Sequence, residues 1–418
     1  MRVLLLNQAF YPDVASTGQH LADLAVGLAE SGHEVTVLTS SRAYDRPTVR
    51  FPRRETWKGV DVIRLACTGF GKGARWRRAA DFASFLASCA LRLLLLPKYD
   101  VVVALTTPPL ISSLGALFAR IKGGRLVFWV MDLNPDEAVA AGWLRQGSLV
   151  ERFLSSILRY GLRSADRIVV LDRFMERRIR EKGVTPEKLE VIAPWSHDDA
   201  VAYDDQGREA FRAKHGLSDK YVVMYSGNHS PCHSLDTLLA AARQLADDER
   251  VVFCFVGGGS EFEKVGRFAA DNKLRNIVQL PYQPLQELGG SLSAADLHVV
   301  VMGNAFAGIV HPCKLYNILA VGIPILYVGP EESHIGDVLA RPFGQSASRS
   351  VRHGDAGGVV QAVLAGAAGQ LEVRSPRETA VAQEFSRKLL LPKMVRLLES
   401  LCAENKSGVR SGVAAGGN

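Results

Sequence analysis

The residues best suited to binding an anion lie around Lys314. The segment 304–329 reads NAFAGIVHPCKLYNILAVGIPILYVG, and it places His311 and Lys314 in a loop that leads into a predicted helix over 315–320. A lysine at a helix start opposes the positive end of the helix dipole unless an anion shares the site. Because the flanking residues are uncharged, we interpret Lys314 as an anion-binding residue rather than as a solvated side chain.

Two glycine-containing turns follow predicted strands in the same half of the chain. Ser226-Gly227-Asn228 ends a strand predicted over 221–225, and Gly257-Gly258-Gly259 ends another over 251–256. Small residues at such exits allow a phosphate to approach the backbone amides at the start of the following helix. A glycine triplet carries an entropic cost that a close approach by a ligand or by another domain would explain. Taken alone, each turn is also what a simple tight connection requires.

Short apolar runs alternate with longer amphipathic runs, and the alternation occurs as two series. The apolar runs predict strands over 2–6, 35–39, 100–104, 125–130, 167–171, 221–225, 251–256, 277–280, 297–301 and 325–328. Strands that are apolar throughout and alternate with helices indicate a parallel sheet covered on both faces. The polar, acidic stretch 195–207 separates the two series like a linker, and a length of 418 residues favours two domains.

Composition and charge narrow the class of protein. The chain is 47% hydrophobic and 22% charged, with a formal charge of +7 and a pI near 9.1, which indicates a globular protein with anionic partners. No recognised nucleic-acid-binding motif accompanies the charge, so a nucleic-acid partner is not expected. Six cysteines without a C-x-x-C pair favour a reducing compartment. The first apolar run is too short for a signal peptide, which predicts a cytoplasmic protein.

A basic-aromatic run precedes the longest apolar stretch. Lys72, Arg75, Trp76, Arg77 and Arg78 stand just ahead of residues 82–96, which are rich in phenylalanine and leucine. The stretch falls short of the roughly 20 apolar residues of a membrane span. A basic run followed by an apolar helix is typical of docking on an anionic membrane surface, so we predict peripheral association with the inner face of the cell membrane. For the helix itself, a buried place inside the domain is an equal alternative.

The order of the motifs resembles that of family-4 glycosyltransferases. The C-terminal segments SGN, VGGG, NIVQLPYQP, SAADLHVVV and KLYNILAVGIPIL carry the resemblance, together with the opening FYPDVASTGQHLADLAVGLAESGHEVTVLTS, over roughly residues 1–403. The segment WVMDLNPDEA resembles the branch that makes bacterial capsule, exopolysaccharide and O-antigen. The resemblance implies an α/β fold of the GT-B type, in which two Rossmann-like domains with parallel sheets face each other across a cleft.

The resemblance also implies a domain plan. Residues 1–195 are the predicted acceptor-binding domain and residues 196–383 the predicted domain for the nucleotide-sugar donor. Residues 384–404 are the predicted helix that crosses back to pack on the N-terminal domain, and Pro392 inside it predicts a kink. Residues 405–418 form a disordered tail rich in glycine, serine and alanine.

At the donor side this chain departs from the family pattern. A basic pair that usually grips the diphosphate corresponds to Asn228 and His233, and two glutamates eight residues apart correspond to Ile309 and Asn317. The resemblance therefore implies that backbone amides, Lys314 and His311 hold the donor. The implied donor-binding residues are Gly227, Asn228, His229, His233, Gly257, Gly258, Tyr282, Gly308, Ile309, Val310 and Asn317, while Thr17 and Gly18 are placed on the acceptor side.

The implied reaction is sugar transfer with retention of anomeric configuration. The donor is a nucleotide sugar, with UDP or GDP as the expected carrier, and the acceptor is a glycan or a polyprenyl-diphosphate-linked saccharide in bacterial surface polysaccharide synthesis. Asp132, just after RLVFWVM, takes the place of the family's acceptor-side acid, and Lys314 and His311 join it as catalytic candidates. The sequence shows neither an Asp-x-Asp triplet nor a His/Cys cluster at metal-ligand spacing, so no metal and no cofactor is predicted. Without an evident nucleophile, we predict front-face attack assisted by the leaving phosphate.

Two alternatives to a transferase stay open. A catalytically inactive interaction subunit that keeps the fold would explain the replaced basic pair and glutamate pair. A nucleotide-sugar 2-epimerase would share the fold, but it would require acid and base carboxylates where this chain has lost them. Donor hydrolysis or sugar transfer by the purified protein separates an enzyme from a scaffold.

Overall fold

The fold consists of two α/β units. A computed structural model describes residues 1–13, 15–43, 48–71, 75–197, 201–341, 348–371 and 380–413, with the backbone alone at residues 75, 380 and 404–413. The first unit, called the N-terminal unit, comprises Met1–Pro194 and Leu390–Asn418, and the C-terminal unit comprises Trp195–Leu389. The predicted class, α/β with a parallel sheet in each half, is confirmed.

The N-terminal unit is built on an eight-stranded sheet within the described residues. Its strands are β1 Arg2–Leu6, β2 Glu34–Ser40, β3 Arg54–Trp57, β4 Val60–Leu65, β5 Val101–Ala104, β6 Arg125–Trp129, β7 Arg167–Val170 and β8 Leu189–Val191. They lie in the order β3-β4-β2-β1-β5-β6-β7-β8, and all pairs are parallel except that of β3 with β4. The apolar side chains of β1 and β5 are fully buried, because helices cover both faces of a parallel sheet.

The helices of this unit follow the strands in the expected alternation. They are α1 Ser16–Glu30, α2 Arg75–Leu95, α3 Ile111–Lys122, α4 Asp136–Ala140, α5 Leu149–Ser164 and α6 Arg173–Glu181. Helix α1 buries Leu21, Leu24 and Leu28 against the sheet, as their helical spacing predicts. It begins at Ser16, so Thr17 and Gly18 lie in its first turn rather than in the preceding loop.

The C-terminal unit repeats the architecture with six strands. They are β9 Tyr221–Asn228, β10 Val251–Gly258, β11 Ile277–Leu280, β12 Leu297–Val301, β13 Ile325–Val328 and β14 Ser348–Val351, in the parallel order β11-β10-β9-β12-β13-β14. The helices are α7 Asp205–Lys214, α8 Asp236–Gln244, α9 Phe262–Asp271, α10 Leu288–Ser293, α11 Lys314–Val321, α12 His334–Leu339, α13 Ala356–Ala367 and α14 Ala380–Glu384. Strands β9, β10 and β12 are central, so loops that leave their carboxyl ends share one edge of the sheet.

The last helix, α15 Arg387–Val413, belongs mainly to the N-terminal unit. Leu391 packs beside Gly27 of α1, the ammonium of Lys393 donates to the carbonyl of Val191 at 3.2 Å, and Glu399 lies 2.9 Å from His33. The helix contains Pro392, and its backbone continues to Val413, nine residues beyond the end proposed from the sequence. The final residues, 414–418, lie outside the described part of the chain.

Candidate functional site

The glycines at the ends of β9 and β10 are part of the sheet and not of loops. Gly227 pairs with Gly257, and Asn228 pairs with Gly258, in parallel register. Both paired glycines have positive φ, +128° at Gly227 and +135° at Gly257. A Cβ at Gly257 would lie 2.1 Å from the carbonyl oxygen of Gly227. The close approach that explains Gly257 is therefore that of the neighbouring strand, whereas the sequence had suggested a ligand or another domain.

We expect Gly257→Ala to destabilise the C-terminal unit by about 3 kcal/mol or more, because a Cβ there meets both a strained φ and a backbone clash. Gly216→Ala is the matched control, since Gly216 also has a positive φ, +67°, but open space around its Cβ position. The control should cost about 1 kcal/mol from the left-handed backbone alone. Calorimetric melting of both variants measures the difference, and equal melting temperatures would contradict the clash.

Lys314 is the first residue of α11, and its side chain lies across the end of β9. Its ammonium is 3.5 Å from the centre of the Tyr225 ring, and its Cε and Nζ occupy the space next to Gly227. The ammonium is buried and makes no hydrogen bond within the described residues. Burial holds the pKa of Lys314 well below its ordinary value, because a low-dielectric environment disfavours the charged amine. Gly227 is the small residue that admits this side chain.

Two histidines, His229 and His233, lie close to the side chain of Lys314. His229 is fully buried, its Nδ1 lies 3.0 Å from the carbonyl oxygen of Gly227, and its Nε2 makes no hydrogen bond among the described residues. Burial, reinforced by Lys314, lowers the pKa of His229 to about 4 and that of His233 to about 3. Both imidazoles are therefore neutral at pH 7. Since a carbonyl only accepts, Nδ1 of His229 is the donor and its Nε2 is an acceptor.

Several backbone amides expected to bind phosphate are already used. The amide of His229 donates to the carbonyl of Gly258 at 2.7 Å. The amides of Ile309 and Val310 both donate to the carbonyl of Phe306, at 2.9 and 3.2 Å. The expectation that the amides of these three residues bind the donor is wrong as the backbone stands, because each is committed to a turn or strand contact. Gly308, with φ +72°, enables the turn that folds this loop.

His311 lies in a stack of aromatic side chains in the C-terminal unit. Its ring packs on His334 of α12 with the centroids 3.7 Å apart, and its Nε2 lies 2.6 Å from the hydroxyl of Tyr316. All three side chains are buried. The stack holds His311 in place, so the imidazole has a fixed orientation. Neither His334 nor Tyr316 was singled out from the sequence.

Other predicted donor residues have local structural partners. The side-chain oxygen of Asn317 accepts from the amide of His197 at 3.1 Å, so Asn317 holds the segment that enters the C-terminal unit. Tyr282 is 46% exposed, and its hydroxyl donates to the carbonyl of Gly258 at 3.2 Å. The carbonyl of Asn228 accepts from the hydroxyl of Tyr225 at 2.8 Å. These contacts account for Asn317 and Tyr282 without a ligand.

In the N-terminal unit, Asp132 follows the carboxyl end of β6. Burial and the carboxylate of Glu137 raise the pKa of Asp132 to about 7, while the guanidinium of Arg78 opposes the shift. Asp136 pairs with Lys182 at 2.7 Å and Glu137 accepts from Asn134 at 2.9 Å. Asp132 is thus a carboxyl group that changes charge near neutral pH, as a general acid or base requires.

The acceptor-side candidates of α1 have a packing role. An added Cβ at Gly18 would lie 3.1 Å from the backbone of Ala9, so Gly18 allows α1 to pack closely on the chain that leaves β1. Thr17 is half-exposed beside it. At the same edge of the sheet, a cavity of about 30 Å³ is lined by Gln8, Ser40, Arg42, Ala43, Cys67, Thr68, Gly71, Arg78, Asp81 and Phe82. Sequence reasoning had assigned Arg78 only to a membrane patch.

The predicted membrane patch is partly a core element. Trp76 is 63% exposed, with the guanidinium of Arg77 5.5 Å from its ring centre, but Phe85 and Leu93 of α2 are buried. Lys72 and the side chain of Arg75 lie outside the described residues. Over the helices of the described residues, none combines the length and apolar character needed to cross a membrane. The buried alternative therefore applies to the inner face of α2.

The chain is similar to known proteins, both in its N-terminal unit and over nearly its whole length. Residues 17–195 match the family model described as Glycosyl transferase 4-like domain. The putative colanic acid biosynthesis glycosyl transferase WcaI of Escherichia coli (strain K12) is 26% identical over 404 residues, which cover 93% of this chain and 96% of that protein.

Solved structures share the fold at lower identity. The sucrose-phosphate synthase of Thermosynechococcus elongatus has a TM-score of 0.77 at 16% identity over 97% of this chain and 100% of that chain. HepE of Anabaena, solved in complex with UDP-glucose, has a TM-score of 0.67 at 15% identity over 98% of this chain and 100% of that chain. The predicted GT-B fold is confirmed by these neighbours. The chain is a glycosyltransferase whose residues 17–195 form a glycosyl transferase 4-like domain.

Proposed function

We propose that this glycosyltransferase moves a sugar, with retention of configuration, from a nucleotide sugar to a glycan or a polyprenyl-diphosphate-linked saccharide in bacterial surface polysaccharide synthesis. The observation that carries the donor half of the proposal is the buried ammonium of Lys314, which makes no hydrogen bond within the described residues. A buried cation is unfavourable without a counter-charge, and a diphosphate at the end of β9 supplies one. The name of WcaI, which refers to colanic acid biosynthesis, supports the polysaccharide product.

In the proposed reaction, the bond between the anomeric carbon and the diphosphate oxygen breaks as an acceptor hydroxyl attacks from the same face. The hydroxyl proton passes to the leaving phosphate. Lys314 stabilises the charge that develops on the diphosphate, because a preorganised cation in a water-poor site acts strongly on such charge. Asp132 accepts a hydrogen bond from the acceptor hydroxyl in its ionised form. His311, oriented by Tyr316, is proposed to contact the donor.

The histidines and glycines at the end of β9 shape the proposed donor site. Neutral His229 offers Nε2 as a hydrogen-bond acceptor, which suits a sugar or ribose hydroxyl better than a phosphate oxygen. Gly227 leaves room for Lys314. The walls of this site are assigned to Gly227, Asn228, His229, His233, Gly258 and Tyr282. Gly308 is assigned a supporting role, because it permits the turn of the loop that precedes His311.

UDP is the nucleotide to test first, because HepE was solved with UDP-glucose. We expect one of UDP-, GDP- and dTDP-sugars to raise the melting temperature, since a ligand at about 100 times its Kd stabilises the folded protein by about 2.7 kcal/mol. The shift should persist in EDTA if Lys314 supplies the positive charge. A protein that melts identically with every nucleotide sugar would speak for the inactive interaction subunit.

Product analysis distinguishes the remaining readings. NMR of the product should show the anomeric configuration of the donor retained, and an inverted product would contradict the proposed front-face mechanism. Appearance of the 2-epimer of the donor without transfer would instead identify an epimerase. Because a polyprenyl-diphosphate-linked acceptor is held in a bilayer, we also propose that the protein acts on the inner face of the cell membrane.

A further inference from the structure

An apolar stripe lies on the outer surface of α5. Leu149 is 82% exposed, Phe153 63% and Tyr160 37%, and Val150 beside them is 58% exposed. The spacing of the first three places them on one line along a helix. The opposite side of α5 is committed to the fold, since Leu158 and Leu162 are buried and Ser113 of α3 donates to the carbonyl of Ile157. One face of α5 is therefore packed against the rest of the unit, and the apolar stripe lies on the other face, which is exposed.

A row of arginines runs beside the stripe. Arg152, Arg159 and Arg163 are all exposed, and their spacing places them on a parallel line of the helix. The acid of α5, Glu151, is held at the helix start, where its carboxylate accepts from the amide of Gly147 and from the hydroxyl of Ser155. Apolar and aromatic side chains flanked by arginine suit the boundary between anionic headgroups and acyl chains.

The stripe starts at the edge of the sheet where Asp132 lies. Strand β6 ends at Trp129, Asp132 follows, and α4 and a short connection lead to the capped start of α5, where Ser148 accepts from the amide of Glu151. In a parallel α/β unit, the start of a helix lies at the carboxyl edge of the strands. A membrane in contact with the start of α5 would therefore lie near the carboxyl group that we propose to orient the acceptor.

We propose that the exposed face of α5 docks the protein on an anionic phospholipid bilayer. The proposal rests on the proposed function, because docking would bring the protein to a lipid-linked acceptor. The residues of α5 that it invokes are different from those of the proposed transferase site. A second copy of the chain fits this face less well, because an antiparallel two-fold pairing of α5 helices would place the arginine rows against each other. Phe153 and Leu149 insert, and the arginines bind the headgroups.

The test is vesicle flotation of the full chain with phosphatidylcholine vesicles that contain or lack phosphatidylglycerol. The protein should float with the anionic vesicles, and Leu149→Ser/Phe153→Ser should reduce its partitioning by at least about tenfold, because two buried side chains are lost. Arg152→Ala/Arg159→Ala should weaken binding by about fivefold per arginine and flatten its dependence on salt. The control is Leu117→Ser/Ile121→Ser, because these two apolar side chains of α3 are 47% and 63% exposed and lie outside both the α5 stripe and the predicted membrane patch.

The outcomes separate the possibilities. Equal flotation of the wild-type protein, the α5 variant and the α3 control overturns the proposal, as does failure of the wild-type protein to float. If the α5 substitutions convert a dimer into a monomer in sedimentation and no vesicle binding is seen, the face pairs two copies and the proposal is also overturned. The melting shift with nucleotide sugar is measured on the same proteins: a shift without flotation refutes the docking alone, and flotation without a shift refutes the proposed transferase site alone.

Discussion

Lys314→Met is expected to lower kcat/KM for sugar transfer by about 10²–10³-fold, in the range found when a single group that stabilises developing negative charge is removed. The same substitution should raise the melting temperature by a few degrees, because methionine fills the space over Tyr225 without the penalty of a buried amine. Loss of activity together with a gain in stability is the signature of a residue retained for binding and not for folding. Initial rates of sugar transfer over a range of nucleotide-sugar concentrations measure kcat/KM, and calorimetry measures the melting temperature.

Lys264→Met is the matched control for Lys314→Met. Lys264 lies in the same unit but on the outer surface, where it pairs with Asp236 at 2.7 Å and is 45% exposed. Its loss should change neither donor affinity nor melting by much, since exposed ion pairs contribute little. Unchanged donor affinity in Lys314→Met would show that the diphosphate binds elsewhere.

Donor binding should also be accompanied by proton uptake. Burial lowers the pKa of Lys314 in the free protein, so part of the amine is neutral at pH values above that lowered pKa. A diphosphate favours the charged amine and raises its pKa, so the amine takes up a proton at pH values between the two pKa values. Calorimetric titration with UDP in buffers of different ionisation enthalpy measures this uptake, which Lys314→Met should abolish.

Asp132→Asn is expected to reduce turnover by about 10²–10⁴-fold, the range typical of a residue that interacts with a transferring proton, and to leave the nucleotide-induced melting shift intact. The pKa of Asp132 is raised to about 7. Its ionised form therefore predominates only above that pH, and the rate of the wild-type enzyme should fall as the pH drops through about 7. Full turnover by Asp132→Asn would remove Asp132 from the mechanism.

Arg78→Ala tests the electrostatic origin of this pH dependence. The Arg78 guanidinium lowers the pKa of Asp132 against burial and Glu137. Without it the carboxyl group should hold its proton to a higher pH, and the acidic limb of the rate profile should move upward. Arg77→Ala is the neighbouring control, since Arg77 packs on Trp76. An upward move in Arg77→Ala as large as that in Arg78→Ala would mean that the general positive charge of α2, and not Arg78, sets the profile.

The spacing of apolar residues was sufficient to predict the central strands and the main helices, but it did not predict three regions at the edges of the sheets. Strands β3 and β4 at one edge, β8 at the other, and β14 in the second sheet were not predicted. Strand β4 includes Arg64, whose buried guanidinium donates to Glu55 of β3 at 2.6 Å and to the carbonyl of Tyr11. From the sequence alone, a charged residue such as Arg64 is expected to be exposed. Its burial is understandable only once the structure shows that Glu55, nine residues away in sequence, is its partner.

Four features could be predicted from the residues alone: the α/β plan, the two series, the place of Asp132 after a strand and the place of Lys314 at a helix start. These follow from apolar spacing and from helix-start chemistry, which are local. The contacts of these residues depend on the folded chain. Lys314 lies on Tyr225, His229 and His233 are neutral, and the amides of His229, Ile309 and Val310 are already bonded. Burial and partner choice depend on how distant strands pair, and the pairing of Gly227 with Gly257 across thirty residues leaves no periodic signal in the sequence.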